Sequence, residues 1–502
     1  MSGAAPSATG FERLVQQSII YAGARLLVSG LDLFLLPVYA RVLSPEDYGL
    51  VAIAATVLAV LAIVCPLGLD SALARFFFEH EQETDAHRRV VTTLLVGATV
   101  SALAVSALVS ALGPGLFGGL LTGMPPAFFR TVVWAAFLNM FLQLWLSLLQ
   151  IRRQAVRYLM VSFAQAAFRG PLTVILIVGL DRGADGWAQA YLATGIVGAI
   201  VAIVSLRTIT AVRLIDARLL SNAFRYGLPV LIHQLAGWTS VHITRLILNQ
   251  LSSLSVVAIY QVAYGIGQGV GLITTAVNFA YAPFFMAEAT KSPEEAARKF
   301  GAFATYYLAG ILGLSVATSL FAEEITIVAA SNDFAAAAPL VPLALSGFVL
   351  QAFYYMLVNP IYFRKAVTPY LPLVTVAGGI ASVVASYALI PHLGARGAVW
   401  VAVLSNLTIV GAAYPLARKA LQLRFEYGRI GVTIAVAVLV VGVSRWLRAV
   451  PLSDGSAVLA NLGLLGIYVT TLAGLGIVTK SSARRVVDLF SRERWRVRAE
   501  EP

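Results

Sequence analysis

Three arginines stand inside apolar stretches long enough to exclude water: Arg25 in IIYAGARLLVSGLDLFLLPVYARVL (19–43), Arg169 in VSFAQAAFRGPLTV (161–174) and Arg245 in WTSVHITRLILNQ (238–250). A guanidinium at the middle of a bilayer costs at least ~2.5–3.5 kcal/mol unless water or a partner meets it. Only one acid, Asp32, is as clearly placed within a span. Ser18, Arg25 and Asp32 recur every seven residues, which puts them on one helix face. The rise between Arg25 and Asp32 is about 10.5 Å, too long for a direct ion pair. Ser162, Gln165 and Arg169 share a face, and so, nearly, do Gln234 and Arg245. Three deep cations against one deep acid leave an excess positive field, and an anionic group in transit would explain it.

Amides accompany the arginines: Asn139 and Gln143, Asn278, and Gln351 and Asn359 fall within other apolar runs. They suit either sugar contact or helix-to-helix hydrogen bonding. His233 and His242 read as packed hydrogen-bonding residues, and Cys65 as a packing residue. Gly170-Pro171 predicts a kink after Arg169. GIGQGVG (265–271) has no strand before it, so its GxxxG spacing predicts close packing rather than dinucleotide binding. The chain has no GxxxxGK[ST], HExxH or CxxC, and no paired carboxylates within one span. No metal site, cofactor or enzyme chemistry is expected.

The elements that must carry these residues are helices across a membrane. Of 502 residues, 59% are hydrophobic and 12% charged, with a mean hydropathy of +0.83, whereas soluble domains carry about 25% charged residues. Apolar runs give about fourteen spans: 15–38, 49–74, 90–112, 128–149, 158–180, 187–206, 225–249, 257–285, 300–320, 339–362, 370–390, 397–416, 430–446 and 457–478. Twelve is the rival count. The small polar N-terminus lacks a cleavage pattern, so the first helix is expected to stay in the mature protein.

The net charge of +12 is a topology signal. About 27 of the 36 basic residues fall in the even-numbered connections, at Arg13 and in the tail KSSARRVVDLFSRERWRVRAEEP; the odd-numbered connections hold a handful. The positive-inside pattern predicts a multi-pass cytoplasmic-membrane protein with both termini cytoplasmic, and no nucleic-acid partner. The tail can also form a basic amphipathic helix on anionic lipid.

Loop RQAVRYL (153–159) recurs with one insertion as RKAVTPYL (364–371), each after the fourth helix of a set of six. Six is even, so a second set enters from the same face, which predicts parallel repeats around a cleft. The expected division is a first lobe at 1–222, a second at 223–420, two added helices at 421–479 and a basic cytoplasmic tail at 480–502. The fold class is all-α and polytopic, two pseudo-symmetric six-helix lobes around a central cleft plus two C-terminal helices.

LPVYARVLSPEDYGLVAIA (36–54), PLGLDSALARFFFE (66–79), LLQIRRQAVRYL (148–159) and YGLPVLIHQLAGW (226–238) resemble, in order and spacing, the polysaccharide-transporter family of the multidrug/oligosaccharidyl-lipid/polysaccharide superfamily, which includes the Wzx-type flippases. The resemblance implies a V-shaped pair of lobes that flips an undecaprenyl-pyrophosphate-linked oligosaccharide for surface polysaccharide synthesis. It makes Arg25, Arg169 and Arg245 candidates for the pyrophosphate. Asn139, Gln143, Gln165, Gln234, Gln351 and Asn359 are candidate polar lining. Drug-exporting relatives make Asp32 the candidate for H⁺ or Na⁺ coupling. Implied partners are the lipid-linked oligosaccharide, membrane lipids, and a polysaccharide polymerase and glycosyltransferases. The competing readings are a cation-coupled drug exporter and a membrane-embedded polymerase or glycosyltransferase.

Overall fold

Backbone polar groups in hydrocarbon must bond within their own segment, so long apolar runs become helices. The computed structural model describes residues 8–79, 85–207, 210, 215–448 and 454–477; the side chains of residues 8–19, Ala22, Arg25, Ser29, Asp32 and Asp454 lie outside the description, as does the basic tail. Among the described residues fifteen α-helices occur: α1 (Ala8–Val42), α2 (Pro45–Val64), α3 (Leu69–Phe76), α4 (Asp85–Leu116), α5 (Pro126–Ile151), α6 (Ala155–Val174), α7 (Gly183–Leu206), α8 (Ala217–Leu251), α9 (Leu254–Lys291), α10 (Pro293–Leu320), α11 (Ala322–Ala329), α12 (Val341–Phe363), α13 (Leu371–Ala420), α14 (Tyr427–Leu447) and α15 (Asp454–Gly474).

Eleven helical segments are long and apolar enough to cross a membrane. Polar residues dilute the hydropathy of the 35-residue α8, while α1, also of 35 residues, has many of its side chains outside the description. The 50-residue α13 contains two helices joined at Gly394, whose φ of 53° and ψ of −129° break the ladder. With α1, α8 and both parts of α13, the membrane-length segments follow the fourteen apolar runs of the sequence. Nothing lies within 4 Å of a Cβ built on Gly394, so Gly394→Ala meets only the conformational cost of a positive-φ region that glycine alone adopts readily, about 1–3 kcal/mol. Its melting temperature should fall by a few degrees in a thermal-shift assay, with transport retained.

One run departs from the sequence expectation. The run at 49–74 is not one tilted helix. It breaks after Val64, where Leu67 (φ 49°) and Gly68 (φ 79°) turn the chain before α3. Past Gly170-Pro171 the span runs on as expected, α6 continuing into a π-helical turn at Ile175–Gly179. Gly267 and Gly271 do serve packing: a Cβ on either would lie 2.9 or 2.6 Å from the Phe348 ring of α12. Cys65 is buried with its Sγ 3.6 Å from Ser106 Oγ.

α1 and α8, which carry Arg25 and Arg245, line a seam in which α1–α4 face α8 and α9, while α6, which carries Arg169, packs behind it on α1. At its charge-poor end, a Cβ on Gly49 would sit 2.0 Å from the Leu254 carbonyl oxygen. Asn249 Nδ2 there donates to the carbonyls of Leu120 (3.1 Å) and Thr122 (3.0 Å), and Ser255 donates to Glu46. Toward the basic end, Gly68 and Gly227 touch backbone to backbone, and Gln234 Nε2 donates to Ser71 Oγ at 3.1 Å.

The last two helices pack on α10 through Leu312, Val316, Val440 and Tyr468. Arg448 at the end of α14 binds Glu323, Glu324 (3.0 Å) and the Leu320 carbonyl (2.9 Å) of the α10–α11 corner.

Candidate transport site

Two cavities meet at the seam. The first, about 440 Å³, lies between α1, α2 and α7 on one side and α8, α9 and α12 on the other. The second, about 540 Å³, lies among α1, α2, α3, α5, α6 and α7. Ala55 and Tyr191 line both, so the cavities adjoin.

Arg245 lines the first cavity and is 6% exposed. Its Nε donates to Gln261 Oε1 at 2.8 Å, and Nη1 lies 2.8 Å from His242 Nδ1. A guanidinium can only donate, so His242 accepts at Nδ1 and carries its proton on Nε2. The guanidinium also lies 4.9 Å from the Tyr264 ring centre and 5.9 Å from that of Tyr260. Every one of these partners is neutral. Among the described residues, no carboxylate lies within 4 Å of Arg245.

Arg169 lines the second cavity and is 7% exposed. Its guanidinium lies 4.7 Å from the centre of the Tyr191 ring, which packs at 4.3 Å on Trp187. Each arginine therefore rests on an aromatic face, which attracts the cation without cancelling its charge.

Of the amides read from sequence, Asn139, Gln143 and Gln165 line the second cavity and Gln351 the first. Asn139 also donates to the carbonyls of Ala135 (2.8 Å) and Tyr191 (3.0 Å), fixing the turn of α7 under Arg169. Gln351 Oε1 is buried without a hydrogen-bond partner. Gln234 belongs to the seam, through Ser71. Asn359 is buried and donates to Asn278 Oδ1 (2.9 Å) and the Tyr355 carbonyl (2.8 Å), a link between α12 and α9. Arg25 and Asp32 belong to α1, and their side chains lie outside the described residues.

The geometry adds roles and residues that sequence reasoning passed over. His242 is the packed hydrogen-bonding residue expected, stacked on Trp238, and it also lines the first cavity and accepts from Arg245. Asp70 lines the second cavity, half-buried, its covered Oδ1 without a hydrogen-bond partner. The signal was an acid inside the run 49–74. Tyr191, Trp187 and Tyr264 gave no signal, since aromatics in apolar spans look like core. Among the described residues no group of three His, Cys, Asp or Glu side chains converges to hold a metal.

The two classes of amide separate by mutation. Asn359→Ala breaks an interhelical bond, about 0.6–1.7 kcal/mol in membrane bundles. It should lower the melting temperature while leaving the transport KM unchanged. Gln351→Ala should do the reverse, raising KM with little loss of stability.

A family model described as "Polysaccharide biosynthesis protein" matches residues 14–288, more than half of the 502-residue chain. The chain belongs to this polysaccharide biosynthesis protein family. The matched part runs from α1 almost to the end of α9 and so includes both arginine sites. No curated protein matches this family member.

Among solved structures it is similar to the lipid II flippase MurJ in an inward closed conformation (TM-score 0.70, 11% identity, 92% of this chain and 100% of that one). It is similar to an inward-facing multidrug resistance MATE transporter of the MOP superfamily (TM-score 0.64, 17% identity, 80% and 94%). A MOP superfamily transporter from Pyrococcus furiosus, whose reversed pocket polarity suggests a different function for that protein, is also similar (TM-score 0.54, 17% identity, 82% and 94%). At these identities the likeness is one of fold. The family match and the membrane-length helices together give a multi-pass membrane protein of the polysaccharide biosynthesis family with a MOP-type fold.

Proposed function

We propose that this protein flips a lipid-linked oligosaccharide of the undecaprenyl-pyrophosphate type across the cytoplasmic membrane by alternating access, with Arg245 and Arg169 receiving the phosphates. The observation that carries the proposal is Arg245: a buried guanidinium held, among the described residues, by neutral groups, on the wall of a cavity between helices that must separate for access. Keeping a buried cation uncompensated is costly, and an anion that visits the site offsets that cost. Arginine also binds phosphate bidentately, which positions the cargo as well as attracting it. Amides and aromatic faces beside the arginines suit sugar.

The basic end faces the cytoplasm in this reading, so cargo made by glycosyltransferases enters there and leaves to a polymerase on the other side. Asp32 is the residue proposed for H⁺ or Na⁺ coupling. Full gradient-dependent flipping by Asp32→Asn would remove it from that role.

Depletion in the native host tests the function. Lipid-linked oligosaccharide should accumulate on the inner leaflet while surface polysaccharide is lost. Unchanged surface polysaccharide without precursor accumulation would overturn the proposal.

A further inference from the structure

A third cavity, about 460 Å³, lies well away from the arginine sites, where α10 begins, α13 ends and α14 begins. Its polar wall is Glu294, Arg418, Arg424 and the pair Tyr414 and Tyr427, whose hydroxyls lie 2.7 Å apart. Neighbouring charges are satisfied locally: Lys299 pairs with Glu295 (2.8 Å) and with Glu288, and Arg429 with Glu426 (3.4 Å). Among the described residues, Glu294, Arg418 and Arg424 make no ion pair. Two cations and an acid, all three exposed and Arg418 lying 6.0 Å from the Tyr414 ring centre, thus line one open cavity without meeting one another.

The cavity floor is built rather than loose. The extended segment 421–426 lies flat on α10: Arg424 N–H donates to the Ala297 carbonyl at 3.2 Å, and a Cβ on Gly301 would fall 2.3 Å from the Arg424 carbonyl oxygen. Its level is that of lipid headgroups, because α13 and α14 are spanning helices and the cavity lies where both end. The tyrosine pair there matches the aromatic belt of a membrane interface.

We infer that this cavity binds the headgroup of a phospholipid that carries a primary ammonium, of the phosphatidylethanolamine type. The phosphodiester would take Arg418 and Arg424, whose guanidinium forks match its two free oxygens. The ammonium would take Glu294, so that every unpaired charge in the cavity gains a partner. A phosphatidylglycerol headgroup would leave Glu294 beside a neutral hydroxyl. A choline headgroup has no N–H to give it. A lipid in this place joins α14 to α10 and α13 at the membrane surface. The inference does not depend on the cargo.

Native mass spectrometry of the full-length protein in detergent, titrated with phosphatidylethanolamine, phosphatidylglycerol or phosphatidylcholine, tests the assignment. Phosphatidylethanolamine should be retained preferentially. Arg418→Gln with Arg424→Gln should weaken its retention roughly 100-fold, the loss of two charge-assisted contacts. Glu294→Gln should abolish the preference over phosphatidylglycerol while leaving phosphatidylglycerol retention as it was. Gly310→Ala, where a Cβ meets nothing within 4 Å, serves as the folded control. Equal retention of the three lipids, or an unchanged preference in Glu294→Gln, would overturn the assignment. Equal competition by glycerophosphoethanolamine, which lacks acyl chains, would overturn the lipid as the occupant.

Discussion

Arg245→Gln should slow translocation on the order of 100-fold while the protein still folds. The side chain supplies charge-assisted bonds of about 1.5–3 kcal/mol each, and losing about 3 kcal/mol at the cargo's phosphate is roughly 100-fold. Glutamine places an amide N–H where arginine has Nε, so it can still donate to Gln261 while the bond to His242 is lost, and the fold loses about one hydrogen bond. Arg245→Lys should fall between, near tenfold, because a lysine keeps the charge and loses the fork. Initial rates in reconstituted vesicles, with melting curves alongside, measure both. If Arg245→Gln transported at the native rate, the guanidinium would be a packing element and not a cargo contact.

The second large effect is mechanical. Gly49→Ala and Gly227→Ala should each nearly stop cycling, because a Cβ at either position collides with backbone of the facing helix: Leu254 O at 2.0 Å in one case, Gly68 O at 2.6 Å in the other. Backbone cannot rotate aside as a side chain can, so the helices must part. Overpacking of this kind costs about 1–3 kcal/mol or more, and at 3 kcal/mol the closed seam becomes roughly 100-fold rarer. Gly310→Ala, which meets nothing, should cycle normally. Maleimide labelling of Gln268→Cys, on the wall of the first cavity, should quicken in the wedged variants in a Cys65→Ser background. Native labelling and transport in both variants would mean that the seam does not need to close.

Much of this architecture is legible in the sequence because hydrocarbon permits so few backbone solutions. Fourteen apolar runs correspond to membrane-length helical segments, and Gly394 marks the join within α13. The break at Pro66–Gly68 is hidden because the residues around it stay apolar, so hydropathy runs on while φ changes sign at Leu67.

The arginines announce themselves by their cost. Their partners do not. Helical phase places Gln234 near Arg245 on α8, yet Gln234 reaches Ser71 across the seam, since phase says which face a residue occupies and not which neighbour fills it. Asn359 meets Asn278 for the same reason. Tyr191 and Tyr264 are spelled like any core aromatic, and only the fold puts a guanidinium on each ring. His242 reads as a packed hydrogen-bonding residue, and only the fold shows Arg245, one turn along, donating to it.

The most direct test uses purified protein in vesicles loaded with undecaprenyl-pyrophosphate-linked oligosaccharide. A membrane-impermeant glycosidase reports how much oligosaccharide becomes exposed on the outer leaflet with time. Native protein should render the inner-leaflet pool cleavable, and Arg245→Gln at equal density should do so on the order of 100-fold more slowly. Exposure no faster than in protein-free vesicles, or equal exposure by native protein and Arg245→Gln, would contradict a flippase that works through Arg245.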